Sequence, residues 1–376
     1  MAQGRDRWRT AFVSRLARAS QGGARRAAIA LLALLAFVAP TACSSPDGPM
    51  ESPRSNTASE VIWGNANLKN FENASSLAHQ EFGTAVGLMA NRSHLNSTAF
   101  NCPVPPTATD CTWILSTTPS GLCASELFSS ERVLPAAACT AFMIGPDRFA
   151  TAAHCMTDDV APWNGWNQEC AQRSVVMRWR TSGSSFPDGN PNIFSRHIYF
   201  CDAVLDHGPV ALPTPTGLPS DWVVFRVDRP VSGGTGTGGP LTAAREPLFP
   251  ASAPVAPSQN NLVWTHNLGL PLKLDNQVNI ASVGQVLVNG GGPGTFTVEA
   301  DLLPGSSGAP VLTPSGAALG MVISGPKEVL GPGGCTQDCF PTGQGAPTCP
   351  GSGDHRSVGL DLKQLPRKWL PVAYDY

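Results

Sequence analysis

The stretch Cys139-Thr-Ala-Phe-Met-Ile-Gly-Pro-Asp-Arg-Phe-Ala-Thr-Ala-Ala-His-Cys155 contains two apolar runs separated by Gly145-Pro-Asp147. Short apolar runs divided by such turn residues predict the two strands of a β-hairpin. A hairpin brings its ends together, so a disulfide between Cys139 and Cys155 is within geometric reach. Such a bridge would immobilise His154, which directly follows the second predicted strand. We therefore interpret His154 as a candidate functional histidine.

The composition is that of a globular protein rich in turns. The chain has 376 residues, of which 42% are hydrophobic, and this is enough to form a substantial core. Its 38 glycines and 35 prolines favour many turns between short strands over long helices. Charged residues make up only 14% and the formal net charge is −2, so we expect no nucleic-acid partner.

The N-terminus has the organisation of an export signal. Residues 1–43 combine an Arg-rich start, the apolar run Ala27–Val38 and the small residues that precede Cys43. The run is too short for a membrane span. The small residues resemble a bacterial lipobox, which predicts a lipid on Cys43, although Pro40 stands where an aliphatic residue is usual. Ordinary signal-peptide cleavage is the alternative, and residues 44–60 are expected to form a flexible tether.

The cysteine count indicates an oxidising compartment. Of 11 cysteines, ten remain when Cys43 is set aside, and an even number in an exported chain is typical of disulfide bonding. Cys170 precedes one predicted strand and Cys201 lies in another, and we expect these two to pair. A zinc site at Cys335 and Cys339 is a weaker interpretation, because no histidine or second cysteine pair lies at suitable spacing. We predict neither a metal nor a cofactor.

A candidate nucleophile lies in Asp301-Leu-Leu-Pro-Gly-Ser-Ser-Gly-Ala-Pro-Val311. A serine that attacks a carbonyl group needs a tight turn and nearby backbone N–H groups for the oxyanion, and glycine permits both. Gly305, Ser307 and Gly308 supply these features. Taken alone, Gly-Ser-Ser-Gly is also ordinary loop composition, so the assignment of Ser307 depends on partners elsewhere in the chain.

The best candidate for an acidic partner is Asp221. It heads an alternating strand that Pro230 terminates. Asp202 and Asp206 are the alternatives, but both lie on a more polar segment. An esterase with a Gly-x-Ser-x-Gly elbow fits poorly, because Pro310 disfavours the helix that must follow such a serine.

Three motifs resemble those of trypsin-like (chymotrypsin-fold) serine peptidases, in the order His, Asp, Ser. They are Thr151-Ala-Ala-His-Cys155, Asp221-Trp-Val-Val-Phe-Arg-Val227 and Gly305-Ser-Ser-Gly-Ala-Pro-Val311. The likeness extends from about residue 61 to about residue 359 and is greatest to the exported bacterial branch. It implies an all-β fold of two antiparallel six-stranded barrels with the active site in the cleft between them. The peptidase domain would occupy residues 61–376, with barrels at about 61–210 and about 211–365.

The resemblance also implies a mechanism. Ser307 would be the nucleophile, His154 the general base and Asp221 the residue that orients the imidazole, while the N–H groups of Gly305 and Ser307 would form the oxyanion hole. The protein would be a monomeric serine endopeptidase acting on proteins or peptides. It would be secreted or held in the bacterial cell envelope, lipid-anchored through Cys43, periplasmic or on the surface. The alternative is a catalytically silent homologue that serves as a cell-surface binding protein.

The resemblance places a substrate pocket at Asp301, Ser324 and Gly325. Asp301 occupies the position at which trypsin selects Lys or Arg, but the neighbouring residues 302–304 do not match the trypsin pocket wall, so a basic P1 preference stays open. Ile323 argues against glutamate specificity. Ser306 stands where animal relatives have the aspartate that receives a newly cut N-terminus, which predicts activity without such cleavage.

Overall fold

The computed structural model describes residues 68–74, 76–96, 112–115, 117–123, 128–134, 139–157, 165–179, 192–194, 197–208, 220–231, 245–284, 286–287, 290–291, 293–325, 329–330, 336–337 and 357–371. The expected export segment, the tether, Cys43, Cys335 and Cys339 lie outside these residues. None of the helices in the described part of the chain is long and apolar enough to span a membrane.

The first barrel is a closed ring of six antiparallel strands. These are β1 (Val86–Asn91), β2 (Cys139–Gly145), β3 (Arg148–Thr151), β4 (Arg173–Met177), β5 (Ile198–His207) and β6 (Val223–Val227). Around the ring their order is β1-β2-β3-β6-β5-β4, and β4 pairs with β1 to close it. The predicted hairpin is β2 and β3, in which Phe142 lies opposite Ala150.

The second barrel repeats this arrangement. Its strands are β7 (Ser258–Thr265), β8 (Lys273–Val283), β9 (Thr295–Glu299), β10 (Pro310–Leu312), β11 (Ala318–Ser324) and β12 (Ser357–Asp361). The order around the ring is β7-β8-β9-β12-β11-β10, with β10 paired to β7. Both barrels thus have the same strand order, and the two-barrel fold expected from the sequence is confirmed.

Two details differ from the expected organisation. The sequence placed the end of the first barrel near residue 210, but β6 pairs with β3 and β5, so the first barrel includes residues up to Val227. A ring of this order needs its sixth strand between the third and the fifth, and β6 is the strand that occupies this position. The edge strand Lys69–Asn70 pairs with β8, so the start of the described chain adds to the second barrel rather than the first.

The remaining elements are short. Helices α1 and α2 span Leu77–Gly83 and Trp166–Ala171, and 3₁₀ turns cover Phe71–Asn73, Arg92–His94, Ala153–Cys155, Asn267–Gly269 and Leu362–Gln364. Helix α1 begins at an N-cap serine, since Ser76 Oγ accepts the N–H of His79 at 3.1 Å. The other strands form small sheets and comprise Leu95–Asn96, Thr112–Leu115, Thr118–Pro119, Arg132–Val133, Asn192–Phe194, Val286–Leu287, Gly290–Gly291, Val329–Leu330 and Thr336–Gln337.

The core extends across both barrels. All seven residues of β2 are buried, which explains why this strand is almost continuously apolar. Phe149 and Phe225 stack in the first barrel with ring centroids 5.7 Å apart. Trp179 Nε1 donates to the carbonyl oxygen of Gly269 at 2.9 Å, so a side chain that follows β4 contacts the turn between β7 and β8. Contacts of this kind hold the turns of the two barrels against each other.

Two disulfides join cysteines that both lie within the described residues. Cys139 and Cys155 join the start of β2 to the 3₁₀ turn after β3, with their Cα atoms 5.9 Å apart. Cys170 of α2 is joined to Cys201 of β5. Cys123 is also disulfide-bonded. These bonds attach the helix and the histidine-bearing turn to the wall of the first barrel.

Candidate active site

His154 and Asp221 form a closely bonded pair. Ring atom Nδ1 of His154 lies 2.8 Å from Asp221 Oδ2, and the backbone N–H of His154 donates to Asp221 Oδ1 at 3.0 Å. The Asp221 side chain is fully buried, whereas that of His154 is 18% exposed. Because both carboxylate oxygens bind the same residue, Asp221 fixes the position as well as the tautomer of the imidazole. Nε2 is then the ring nitrogen that does not bind Asp221.

The 3₁₀ turn Ala153–Cys155 presents this histidine at the end of β3. Its neighbour Cys155 is tied to β2 through the disulfide with Cys139. Asp221 lies just before β6, which pairs with β3 so that Val223 is opposite Thr151. Adjacent strands of one barrel therefore bring the acid and the histidine together, although they are 67 residues apart in the sequence.

The serine turn lies between β9 and β10 and docks on the first barrel. The carbonyl oxygen of Ser307 accepts the N–H of Thr140 at 2.8 Å, and Cys155 Sγ lies 3.8 Å from the same oxygen. Thr140 Oγ1 donates to the carbonyl oxygen of Gly305 at 2.9 Å. The backbone of Ser307 thus lies beside Cys155, the residue that follows His154.

Glycine is required at two positions of this turn. Gly308 has a φ of 83°, and a Cβ atom there would overlap the carbonyl oxygen of Thr140 and the hydroxyl of Thr151. Gly305 has a φ of 95°, and its Cβ would lie 2.7 Å from the carbonyl oxygen of His266. A side chain at either position would be strained and would also push the serine turn away from the neighbouring backbone.

Two backbone N–H groups of the serine turn have no acceptor among the described residues. Among the described residues, no acceptor binds the N–H of Gly305 or of Ser307, whereas the N–H of Ser306 donates to the carbonyl oxygen of Leu303 at 3.0 Å. Two such N–H groups, one of them on the candidate nucleophile, are the kind of donors that an oxyanion requires.

Residues 139–321 match the family model described as a trypsin-like peptidase domain. This segment of the chain is a trypsin-like peptidase domain. The matched segment starts at the first residue of β2 and includes His154, Asp221 and Ser307. A comparison with curated proteins found no match.

Solved serine protease structures are also similar to this trypsin-like chain. Neuropsin, a serine protease of mouse brain, shares 15% identity over 60% of this chain and 83% of its own, with a TM-score of 0.39. The VesB protease of Vibrio cholerae shares 13% identity over 81% of this chain and 65% of its own, with a TM-score of 0.41.

The alternative acids lie elsewhere in the trypsin-like domain. Asp202 forms an exposed ion pair with Arg226. Asp206 accepts from Trp369 Nε1 at 2.8 Å and pairs with Lys368 at 2.9 Å. Of the three candidate acids, only Asp221 has a hydrogen bond to His154 in the described residues.

His266 is a buried structural histidine of the peptidase domain. It is 1% exposed, and its Nδ1 lies 3.0 Å from the carbonyl oxygen of Leu270. Burial lowers the pKa of His266 to about 3, with Lys273 acting in the same direction and the Leu270 carbonyl opposing it. The ring is therefore neutral at physiological pH and donates from Nδ1.

The ligand atoms of Cys139, His154 and Cys155 lie within 4.8 Å of one another, a spacing that could suit a metal ion. The two sulfur atoms are joined in the disulfide, however, so that neither is available as a thiolate ligand. This trio is accordingly part of the histidine turn of the peptidase domain rather than a metal centre.

The residues assigned to the substrate pocket lie at the ends of strands in the second barrel. Asp301, which is 2% exposed, follows β9, and Ser324 is the last residue of β11. A Cβ atom at Gly325 would lie 3.3 Å from Ser357 Oγ, so the start of β12 faces Gly325. Ser357 is therefore a further candidate for this region that the sequence did not indicate.

Three polar residues around the serine turn were not singled out from the sequence. Thr140 is fully buried in β2, where its hydroxyl also accepts the N–H of His266 at 3.0 Å. Asn267 and Asp275 contact the segment that precedes the turn. The available signal was a threonine beside Cys139 in an otherwise apolar strand, but the partners of its hydroxyl lie more than 100 residues away.

Proposed function

We propose that the chain is an exported serine endopeptidase that hydrolyses peptide bonds through an acyl-enzyme on Ser307. The observation that carries this proposal is the double hydrogen bond from His154 to the buried carboxylate of Asp221. A buried aspartate that holds both the backbone and Nδ1 of a histidine leaves Nε2 to act on a nucleophile. The match of residues 139–321 to the trypsin-like peptidase domain adds support, because serine proteases hydrolyse proteins and peptides.

In the proposed reaction, Ser307 Oγ attacks the scissile carbonyl group and His154 Nε2 accepts its proton. The N–H groups of Gly305 and Ser307 bind the oxyanion, and the protonated imidazole then donates its proton to the leaving amine. Water hydrolyses the acyl-enzyme with His154 again as the base. Asp221 stabilises the imidazolium through the hydrogen bond to Nδ1. No step of this sequence uses a metal or a cofactor.

The disulfides and the lack of a membrane-spanning helix among the described residues are compatible with export. We propose that the mature protein is attached to the bacterial cell envelope by a lipid on Cys43, with secretion as the alternative. Incorporation of a labelled fatty acid in cells that express wild-type protein, but not Cys43→Ser, tests the anchor. Equal labelling of the two proteins would exclude it.

The decisive experiment is labelling of the purified protein with a fluorescent fluorophosphonate. Ser307→Ala should abolish labelling, whereas Ser306→Ala should retain it, because within the described residues Ser306 contributes backbone hydrogen bonds to the turn and none from its side chain. Cleavage of fluorescein-labelled casein should follow the same pattern. A folded wild-type protein without Ser307-dependent labelling would overturn the proposal and favour a silent binding homologue.

A further inference from the structure

The segment between β9 and the serine turn has no regular structure, yet its backbone is held by side chains from elsewhere. The N–H of Asp301 donates to Asp275 Oδ2 at 3.0 Å, and the carbonyl oxygen of Asp301 accepts from Asn267 Nδ2 at 2.9 Å. The N–H of Leu303 donates to Asn267 Oδ1 at 3.3 Å. Two side chains therefore bind three backbone groups just upstream of Gly305.

Asn267 is suited to this role because it is fully buried and bonded on both sides of its amide. Oδ1 also accepts from the hydroxyl of Thr265 at 3.1 Å. The partners determine the orientation of the amide, since a carbonyl oxygen must face Nδ2 and an N–H must face Oδ1. A single side chain thereby sets the distance between residues 301 and 303.

Asp275 anchors the same segment to the wall of the second barrel. The residue is 2% exposed and lies in β8, where its Oδ1 accepts the N–H of Gln277 at 2.9 Å. Burial raises the pKa of Asp275, and the two backbone N–H groups oppose this shift. The carboxylate is therefore held by donors at both oxygens, one from its own strand and one from Asp301.

The peptide group between Pro304 and Gly305 is oriented by the turn that contains Asn267. The N–H of Leu268 donates to the carbonyl oxygen of Pro304. Leu268 and Gly269 both have positive φ values, 52° and 77°, and this conformation directs the Leu268 N–H toward the serine turn. In a trans peptide the C=O and N–H groups point in opposite directions. With the Pro304 carbonyl fixed, the N–H of Gly305 must point away from the turn at Leu268.

We propose that Asn267 and Asp275 are positioning residues that hold residues 301–305 in the oxyanion-binding conformation without any cleavage of the N-terminus. The role rests on the proposed peptidase function. It also provides a physical basis for activity in a chain with Ser306 before the nucleophile, because bonds from within the second barrel supply the order of this segment. Neither residue touches the reacting atoms, so both act through the backbone of the turn.

The test compares Asn267→Asp with Asn261→Asp in the full-length protein. The first change removes the donor to Asp301 and places an oxygen against its carbonyl. Asn261 is a matched control, since it is 2% exposed in β7 and donates to Ser258 Oγ and the Val278 carbonyl, away from the segment 301–305. The probe is a fluorescent fluorophosphonate, with its inactivation rate constant kinact and its binding constant KI measured separately.

Asn267→Asp should lower kinact at least tenfold, toward the roughly 10²–10³-fold loss typical of a missing oxyanion donor. KI should change less than about threefold, and Asn261→Asp should keep the wild-type kinact even if its Tm falls. Asp275→Asn should also lower kinact, because an amide has an acceptor at only one of the two positions that the carboxylate oxygens occupy. A purely structural role would lower the Tm of all three variants and leave kinact of the folded protein unchanged.

The two proposals fail in different ways. Without Ser307-dependent labelling of wild-type protein, the peptidase function itself is wrong. If wild type is labelled and folded Asn267→Asp reacts at the wild-type kinact, the positioning role is wrong and the peptidase function stands. Should Asn267→Asp fail to fold by circular dichroism, folded Asp275→Asn decides by the same criterion.

Discussion

Thr140 and Gly305 belong to different barrels, and the hydroxyl of Thr140 donates to the carbonyl oxygen of Gly305 at 2.9 Å. The same hydroxyl accepts the N–H of His266, and the backbone N–H of Thr140 donates to Ser307. One buried residue of the first barrel therefore binds three positions of the second. This contact places the serine turn against the strand whose first residue, Cys139, is bridged to the neighbour of His154.

Thr140→Val should weaken both stability and catalysis. Valine has a similar shape but leaves the N–H of His266 buried without its acceptor, which typically costs about 1–3 kcal/mol. We expect kcat for a peptide substrate to fall more than KM changes, because the turn loses one of its fixed points. Urea unfolding and steady-state kinetics measure the two effects. Thr140→Ser keeps the hydroxyl and should retain most of both; equal losses in the two variants would contradict this assignment.

Asp221→Asn should lower kcat by roughly 10⁴-fold, as expected when the acid of a catalytic triad is neutralised and the imidazole adopts the wrong tautomer. The protein should remain folded, since the amide fills the same buried space. Asp202→Asn is the matched control, because that carboxylate is exposed and pairs only with Arg226 within the described contacts. Kinetics of casein or peptide hydrolysis would show the difference. Similar activity in the two variants would remove Asp221 from the mechanism.

His266 should make the free energy of unfolding fall in acid. Its folded pKa is about 3 against an ordinary value of 6.5, so the unfolded state binds more protons between these values. Stability contributed by the neutral ring is complete above pH 6.5 and decreases as the pH falls toward 3, by about 1.4 kcal/mol per pH unit.

The measurement is urea unfolding at several pH values for wild type and His266→Asn, which retains an N–H donor for the Leu270 carbonyl. The difference between the two curves isolates His266 from Asp275, whose raised pKa contributes with the opposite sign in acid. We expect the free energy of unfolding of the wild type, relative to that of His266→Asn, to decrease by about 2 kcal/mol from pH 7.5 to pH 5. Parallel curves would show that His266 does not bind its proton differently in the two states.

Glu131→Gln should be strongly destabilising because it leaves a buried cation without its counter-ion. Lys273 Nζ lies 2.6 Å from Glu131 Oε2, and the lysine side chain is fully buried over the ring of Phe128. Burial lowers the pKa of Lys273, and Glu131 opposes this shift. Loss of one partner of a buried ion pair typically costs about 3–5 kcal/mol.

The double variant Glu131→Leu/Lys273→Met tests the same ion pair by removing both charges instead of one. Apolar residues of similar volume remove both charges together, so much of the lost stability should return. Chemical denaturation of the single and double variants gives the comparison. A double variant less stable than Glu131→Gln would show that the pair itself, rather than the unpaired charge, determines stability here.

The local sequence determined much of this protein. The apolar runs around Gly145-Pro-Asp147 specify the β2–β3 hairpin, and alternation specifies β6, because strand periodicity and turn chemistry are properties of neighbouring residues. The motif resemblance to trypsin-like peptidases led to the two-barrel fold and to His154, Asp221 and Ser307 as candidates. Strand β10 begins at Pro310, because the first residue of a strand is a position that tolerates proline.

Only the tertiary structure decided which polar groups support the serine turn. Asn267 and Asp275 precede Asp301 by 34 and 26 residues, and Thr140 precedes Gly305 by 165. Hydrogen bonds across such separations depend on how the barrels close and pack, which no local pattern encodes. The end of the first barrel was likewise decided by the tertiary structure, because β6 belongs to this barrel through its pairing with β3 and β5. The residues expected to perform the chemistry could be predicted from the sequence. The residues that hold the backbone of the serine turn in place could be identified only from the tertiary structure.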